Sequence, residues 1–195
     1  MRYFAFLAIG CAVAFASCGS GSGDSATTGS TTAAAPAAKA APSSSLSDTA
    51  TTELLNLVNS YYNLKDALVA SDAAKTDAAA GKLMADAEGF KQVLANQASA
   101  ATLQPQLDII ESGSETIVNT NADSLEAKRA HFLKVSDAMY ALLKGANLKN
   151  GGVYQQYCPM AFNDQGGHWL SAESDIMNPY LPKKMLHCGE VKDSL

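Results

Sequence analysis

The sequence predicts a mainly α protein, an up-down four-helix bundle followed by a small irregular or β C-terminal segment. Between residues 51 and 144, apolar side chains recur every three or four positions in four runs with short connections, which is typical of amphipathic helices. After Gly151-Gly152 this period stops. With 195 residues, of which 47% are hydrophobic and 17% charged, the chain can bury one core of its own.

The boundaries of the first three helices follow from local signals. The first helix is expected from Thr52 to about Ala70, and Ser71-Asp72 can cap the second. The third is expected to begin near Thr102, with Pro105 in its first turn, where a missing N–H is tolerated. Because the connections are short, neighbouring helices should be antiparallel.

The fourth helix has a start and a stop signal of its own. Asp123 and Glu126 resemble a capping box, and Gly145 is a plausible C-terminal stop. No Glu-x-x-His pair occurs in the predicted bundle, so a di-iron carboxylate site has no support there. We interpret the bundle as a scaffold.

The first eighteen residues are typical of an export signal. After Met1-Arg2 comes an apolar run of 14 residues, shorter than the roughly 20 needed to cross a bilayer. The run ends in Phe15-Ala16-Ser17-Cys18, which resembles the lipobox of bacterial lipoproteins, in which the cysteine is lipidated. Residues 1–18 are therefore expected to be a lipoprotein-type signal peptide, and the protein to be exported to the periplasm or outer membrane with a lipid anchor on Cys18. An ordinary signal cleaved near Ala16 is the alternative.

Residues 19–50 have the composition of a disordered tether. From Ser20 to Ala50, 27 of 31 residues are Ala, Gly, Pro, Ser or Thr, so the segment has little to bury. A flexible coil of this length reaches on the order of 30 Å. The globular domain is then expected over residues 51–195.

The balance of acidic and basic residues indicates which classes of partner the protein can bind. The formal net charge is −5, with 14 Lys and Arg against 19 Asp and Glu, and no basic cluster exceeds two neighbours. Nucleic-acid binding needs a concentrated positive face, so we expect no such partner.

The last forty residues differ in composition from the bundle. Residues 153–157 alternate like a short strand, and Ala161-Phe162 with residues 168–170 is expected to form a hairpin around Asn163 to Gly167. The 31 residues from Cys158 to Cys188 hold two of the three histidines and three of the five methionines after Met1. Soft sulfur donors are thus concentrated in one segment.

Two readings of this segment stay open on chemistry alone. Cys158 and Cys188 can form one disulfide, which would stabilise an exported domain by roughly 3–4 kcal/mol. Alternatively, Cys158 with Met160, and Met185 with His187 and Cys188, can bind a soft ion such as Cu(I) or Ag(I). His168, beside Trp169, would cover that site or complete the hairpin. No organic cofactor is implied.

Enzymatic activity is not expected. The sequence offers no Ser/His/Asp order and no phosphate-binding loop. A dyad of Cys158 and His168 would need an orienting group that we cannot assign.

The C-terminal segment resembles a known bacterial family. The motifs are Tyr157-Cys158-Pro159-Met160-Ala161-Phe162, Trp169-Leu170-Ser171, Asn178-Pro179-Tyr180, and Met185-Leu186-His187-Cys188-Gly189. They resemble the end of the family known as domain of unknown function 3347, and the bundle is similar to that family through residues 61–72. The resemblance covers about residues 52–192.

Members of that family occur as stand-alone exported proteins and as extensions of periplasmic adaptor subunits of copper and silver efflux pumps. The resemblance therefore implies a role in heavy-metal resistance, as a metal chaperone, buffer or efflux accessory, with such an adaptor as partner. The metal ligands it implies are Cys158, Met160, Met185 and Cys188, whereas His187 is a local addition and Asn178-Pro179-Tyr180 is structural. The alternative is an interaction module of the cell envelope with a structural Cys158–Cys188 disulfide and no metal.

Overall fold

The computed structural model describes residues 40–121 and 124–195. Signal peptide, Cys18 and most of the expected tether lie outside these residues. The elements, in chain order, are α1 (Asp48–Ala70), α2 (Ala73–Leu94), α3 (Ala100–Asn119), α4 (Leu125–Gly145), β1 (Tyr154–Cys158), the short α5 (Ala161–Asp164), β2 (Gly167–Ser171) and β3 (Glu190–Ser194). The predicted fold class, four helices followed by a small β segment, is confirmed.

The first two helices have well-formed caps. α1 begins at Asp48, earlier than the expected Thr52, because the side chain of Ser47 accepts a hydrogen bond from the Ala50 N–H. α1 ends where Ser71 takes a left-handed conformation with φ 54°, which closes the last turn. Asp72 then caps α2, as predicted, by accepting a hydrogen bond from Lys75 N–H.

The start of α3 and the end of α4 differ from the expectation. α3 begins at Ala100, so Pro105 lies in its second turn and removes one internal hydrogen bond. Gly145 is still helical, and the left-handed residue is Asn147, with φ 52°. The N–H groups of Asn147 and Leu148 reach back to the carbonyls of the last helical turn, so asparagine supplies the stop expected from glycine. The expected cap Asp123 lies outside the described residues.

The helices pack in chain order; α1 and α4 have few close backbone contacts, and their side chains meet where the Tyr61 ring stacks on the Phe132 ring, with centroids 5.2 Å apart. Strand β2 also contacts both helices. The backbone N–H of Leu170 in β2 donates to the Tyr61 hydroxyl on α1 at 3.0 Å, and that hydroxyl is 2.7 Å from Ser136 Oγ on α4. The C-terminal segment therefore completes the bundle.

The three strands form an antiparallel sheet in the order β2-β1-β3. β1 pairs with β2, placing Tyr157 opposite His168. The expected hairpin between Ala161-Phe162 and residues 168–170 is therefore wrong. Phe162, Asn163 and Asp164 all have positive φ, so this stretch makes a left-handed turn that cannot pair as a strand. The sequence analysis predicted no strand at the position of β3.

One core joins the helices to the C-terminal segment. Trp169, Leu170 and Tyr180 belong to the same buried cluster as the helix side chains. Residues before α1 contact the domain as well, since Leu46 is buried and Ser43 bridges Lys149 through backbone hydrogen bonds. In the part of the chain that is described, no helix has the length and apolar character needed to cross a bilayer.

Candidate functional site

The candidate site is centred on a disulfide between Cys158 and Cys188, whose Cα atoms are 5.6 Å apart. Cys158 is the last residue of β1 and is fully buried, whereas Cys188 is partly exposed. β1 and β3 are antiparallel neighbours with Tyr157 opposite Glu190. The pairing of the two strands therefore brings Cys188, which lies two residues before the start of β3, next to Cys158, within the usual range for a bridge.

The residue after Cys188 has to be glycine for two reasons. Gly189 has φ 147°, a backbone conformation that side chains disfavour. A Cβ atom there would also meet the carbonyl oxygen of Tyr157 at 2.9 Å and the Trp169 ring at 3.0 Å. The Cys-Gly pair of the C-terminal motif thus lets the chain pass close to the indole.

Both expected thioether ligands are exposed beside the disulfide. Met160 and Met185 have exposed fractions of 44% and 41%. Met160 follows Cys158 by two residues, and Met185 lies in the turn that leads into Cys188, whose N–H donates to the Met185 carbonyl at 3.1 Å. Neither methionine belongs to the buried core cluster, so the exposed part of each side chain can contact a ligand or a partner surface.

The two histidines of the segment have different environments. The His168 ring packs against the ring of Tyr157, with centroids 4.5 Å apart, as a cross-strand pair. His187 is exposed, and its Nδ1 is 2.9 Å from the carbonyl oxygen of Ile176. His168 lies on β2 opposite Tyr157 of β1, so it does not complete the hairpin expected with Ala161-Phe162.

The Asn-Pro-Tyr motif is structural, as predicted. The buried side chain of Asn178 accepts hydrogen bonds from the N–H groups of Tyr180 and Leu181 and donates to the carbonyl of Cys188 at 3.2 Å. Tyr180 anchors the turn in the core, where its hydroxyl donates to the carbonyl of His168. The motif holds the chain in position beside the disulfide.

Burial dominates the electrostatics near the sheet. It raises the pKa of both Tyr61 and Tyr180 well above the ordinary value, so these hydroxyls stay neutral. It also raises the pKa of the Asp137 carboxyl, an effect that the neighbouring His168 partly opposes. These neutral hydroxyls act as hydrogen-bonding groups between helices and sheet.

The available donors define what this arrangement can do chemically. The disulfide occupies both expected thiolates. Among residues 40–121 and 124–195, no three His, Cys, Asp or Glu side chains group as a metal site would. The soft donors that remain exposed beside the bridge are the thioethers of Met160 and Met185.

One residue of the site had not been singled out from the sequence. Gln156 is fully buried in β1, and its Nε2 donates to three successive carbonyls, those of Glu173, Ser174 and Asp175, at 2.9–3.2 Å. It pins the loop that leads from β2 toward the Asn-Pro-Tyr motif. Because Gln155 and Gln156 are neighbours of identical type, no sequence signal shows which of them points inward.

The fold and the site define a helical module with a disulfide-bonded three-stranded sheet packed against α1 and α4. Residues 57–151 match the family model described as Protein of unknown function (DUF3347). This match confirms the predicted family over these residues, which are just under half of the chain. The match covers the bundle from within α1 to beyond α4, and the disulfide segment follows it. No curated protein and no solved structure matches the chain.

Proposed function

We propose that this protein is a non-catalytic interaction module of the cell envelope, whose C-terminal segment is closed by a structural disulfide. The Cys158–Cys188 bridge carries the proposal, because disulfides persist in exported proteins and are rare in the cytosol. The predicted signal peptide, the lipid anchor on Cys18 and the tether agree with that location. The helices serve as the support, and the C-terminal segment is the part that meets a partner.

The apolar groups exposed on this segment support an interaction role. Three of the large hydrophobic side chains exposed in the described residues, Met160, Met185 and Val191, lie within it. Methionine is enriched at protein interfaces because its side chain is flexible and polarizable. From the family resemblance, we propose a periplasmic adaptor of a heavy-metal efflux pump as the partner.

The disulfide predicts a defined response to reduction. Protein comprising residues 19–195 should show no free thiols when unfolded without reductant, and two after reduction. Reduction should lower the free energy of unfolding by roughly 3–4 kcal/mol, because the bridge closes a loop with a sequence separation of 30. Urea unfolding with and without reductant measures this loss.

A Cys158→Ala/Cys188→Ala variant is the control for that experiment. Its unfolding midpoint should match that of the reduced protein and should not respond to reductant. Two reactive thiols in protein isolated from an oxidising compartment would contradict a structural disulfide.

A second candidate function is the binding of Cu(I) or Ag(I) by thioethers, for storage or transfer to the efflux adaptor. The specific observation is that Met160 and Met185 are both exposed within three residues of the bridged cysteines. Thioethers bind soft ions, and they carry no proton that must be lost first. Reduction of the bridge would add the thiolates of Cys158 and Cys188 to the same donor set.

A titration with Cu(I) against a competing chelator tests this function. The oxidised protein should bind through its methionines, and the reduced protein should bind more tightly because thiolates are stronger ligands. The Met160→Leu/Met185→Leu variant should lose binding in the oxidised form, whereas Met84→Leu on α2 should not. An unchanged stoichiometry in the double variant would rule out the thioether site.

A further inference from the structure

A cavity of about 370 Å³ lies where the end of α1, the first turns of α4 and the loop after Tyr180 meet. Its volume falls within the range of small-molecule sites, about 300–1,000 Å³. Among the described residues that line it, three are cationic, Arg129, Lys183 and Lys184, and one is acidic, Glu126. Part of the wall is apolar and is formed by Leu125, Leu181 and Pro182.

The three cations differ from most others in having no carboxylate partner. Most lysines of the described residues form ion pairs, namely Lys65, Lys75, Lys82, Lys91, Lys128, Lys144 and Lys192. Those without an ion pair in the same residues are Arg129, Lys134, Lys149, Lys183 and Lys184. Three of these five line one cavity, in a protein whose formal net charge is −5. The local excess of positive charge is therefore opposite to the charge of the whole chain.

Arg129 is held in place without being neutralised. Its Nε donates to the Pro179 carbonyl at 2.7 Å, and its Nη2 donates to the Leu68 carbonyl at 2.9 Å and to Ser71 Oγ at 3.0 Å. All three acceptors are uncharged. Burial lowers the pKa of Arg129, and the Glu126 carboxylate opposes this effect. The guanidinium is thus oriented and partly desolvated, and its charge stays available to an anion.

We propose that this cavity binds a phosphate monoester with a short apolar chain. The phosphate would meet Arg129, Lys183 and Lys184, and the chain would lie against the leucine and proline wall. With three cations and one acid, the lining carries a formal charge that suits the dianion which a phosphate monoester approaches at neutral pH. The two N–H groups of Arg129 Nη1 take part in none of the three hydrogen bonds that hold the guanidinium, so they remain for phosphate oxygens.

The same chemistry has two sources, a soluble alkyl phosphate and the headgroup of an anionic lipid. The experiment separates them with the whole secreted chain carrying Cys18→Ala, which prevents lipidation. One arm titrates hexyl phosphate by calorimetry, with inorganic phosphate and hexanol as comparison probes. The other arm measures co-flotation with vesicles of phosphatidic acid in phosphatidylcholine, compared with phosphatidylcholine alone.

Four variants give the expected pattern. Arg129→Gln should weaken hexyl phosphate binding about tenfold or more. Lys183→Gln/Lys184→Gln should weaken it about twofold to fivefold per lysine, because these groups are exposed. Glu126→Gln should strengthen binding by removing the opposing charge. Lys134→Gln, which removes an unpaired lysine elsewhere on α4, is the matched control and should change nothing.

Each outcome of these experiments either supports or overturns the proposed phosphate site. Binding in either arm that depends on the cavity cations supports the site, and the arm in which it occurs identifies the source of the phosphate. Absence of binding in both arms overturns the proposal, as does an equal loss in the Lys134→Gln control. Equal affinity for inorganic phosphate and hexyl phosphate overturns the role of the apolar wall. If Arg129→Gln fails to fold, the double lysine variant decides, since no side-chain hydrogen bond of Lys183 or Lys184 occurs among the described residues.

Discussion

At the scale of single residues, Tyr61 joins the sheet to the bundle. The outer edge of β2 faces the helices, and the Leu170 N–H on that edge finds its acceptor in the Tyr61 hydroxyl. The same hydroxyl is hydrogen-bonded to Ser136 on α4. The neighbouring Tyr62 hydroxyl is also buried but has no partner in the described part of the chain. Two adjacent tyrosines therefore have opposite energetic roles.

Replacement of each tyrosine by phenylalanine should expose this difference. Tyr61→Phe should lower the free energy of unfolding by about 1–3 kcal/mol, because it leaves the Leu170 N–H buried without an acceptor. Tyr62→Phe should be neutral or slightly stabilising, because it removes a desolvated hydroxyl. Urea denaturation measures both changes, and equal losses in the two variants would contradict this account.

The cysteines show what residue-level reasoning from the sequence can and cannot reach. Which groups surround each cysteine depends on contacts between residues 30 positions apart in the chain. Sequence reasoning therefore offered no ground to prefer a disulfide over metal ligation at Cys158 and Cys188. Asn178-Pro179-Tyr180 was easier, because its turn is built from hydrogen bonds between near neighbours. The role of Arg129 could not be predicted, because its carbonyl partners and the lysines that line the same cavity are distant from it in sequence.

At the scale of elements, a buried lysine ties three helices together. Lys128 on α4 has no exposed side-chain surface, and its Nζ donates to Asp77 Oδ1 on α2 at 2.6 Å. The same Nζ donates to the carbonyls of Ile117 and Thr120 at the end of α3, at 2.6 and 2.7 Å. It thereby satisfies two carbonyls that the end of a helix leaves unpaired.

The two partners of this ion pair should respond unequally to mutation. Asp77→Ala should cost about 3 kcal/mol or more, because it leaves the buried ammonium without a counter-charge. Lys128→Met leaves the carbonyls of Ile117 and Thr120 without that donor. It should still cost less, because it removes the buried charge itself and the Asp77 side chain, 31% exposed, regains water. The exposed Lys82–Asp86 pair is the control, and Lys82→Met should cost under about 1 kcal/mol. Unfolding in urea ranks the three variants, and a reversed order of the first two would refute the argument.

Among the elements, the four helices could be predicted from the sequence, whereas the start of α3 and strand β3 could not. The helices follow from a local period and from caps such as Asp72, whose partner lies three residues away. The start of α3 was missed because its cap residue Ser99 makes no side-chain hydrogen bond. Strand β3 was missed because Glu190 to Ser194 is mostly exposed and has no alternating apolar pattern. Only its pairing with β1 makes it a strand.

At the scale of the whole molecule, the C-terminal segment packs against both α1 and α4. This packing buries aromatic rings between helices and sheet, and burial raises the pKa of Tyr61, Tyr62 and Tyr180. A tyrosine whose folded pKa exceeds its unfolded value keeps its proton in the folded state at high pH. The unfolded state loses that proton near pH 10, so stability must fall above this pH.

The protein should therefore unfold steeply in alkali. Each of the three tyrosines should reduce the free energy of unfolding by about 1.4 kcal/mol per pH unit above about pH 10. Tyrosinate absorbance of the buried rings should rise together with the loss of helical circular dichroism. Tyr62→Phe should reduce the slope by one tyrosine's share, and an unchanged slope would contradict the contribution of Tyr62.

The amino-acid sequence alone established the helical class, the order and approximate bounds of four helices, the resemblance to the family, and the segment in which sulfur donors concentrate. These depend on periodicity and on contacts within a few residues. Only the folded arrangement shows that Cys158 bonds Cys188, that β2 packs against both α1 and α4, and that Arg129, Lys183 and Lys184 share one cavity. Those arrangements require distant parts of the chain to meet, and the free energy that holds them comes from burial in a common core, which no local pattern specifies.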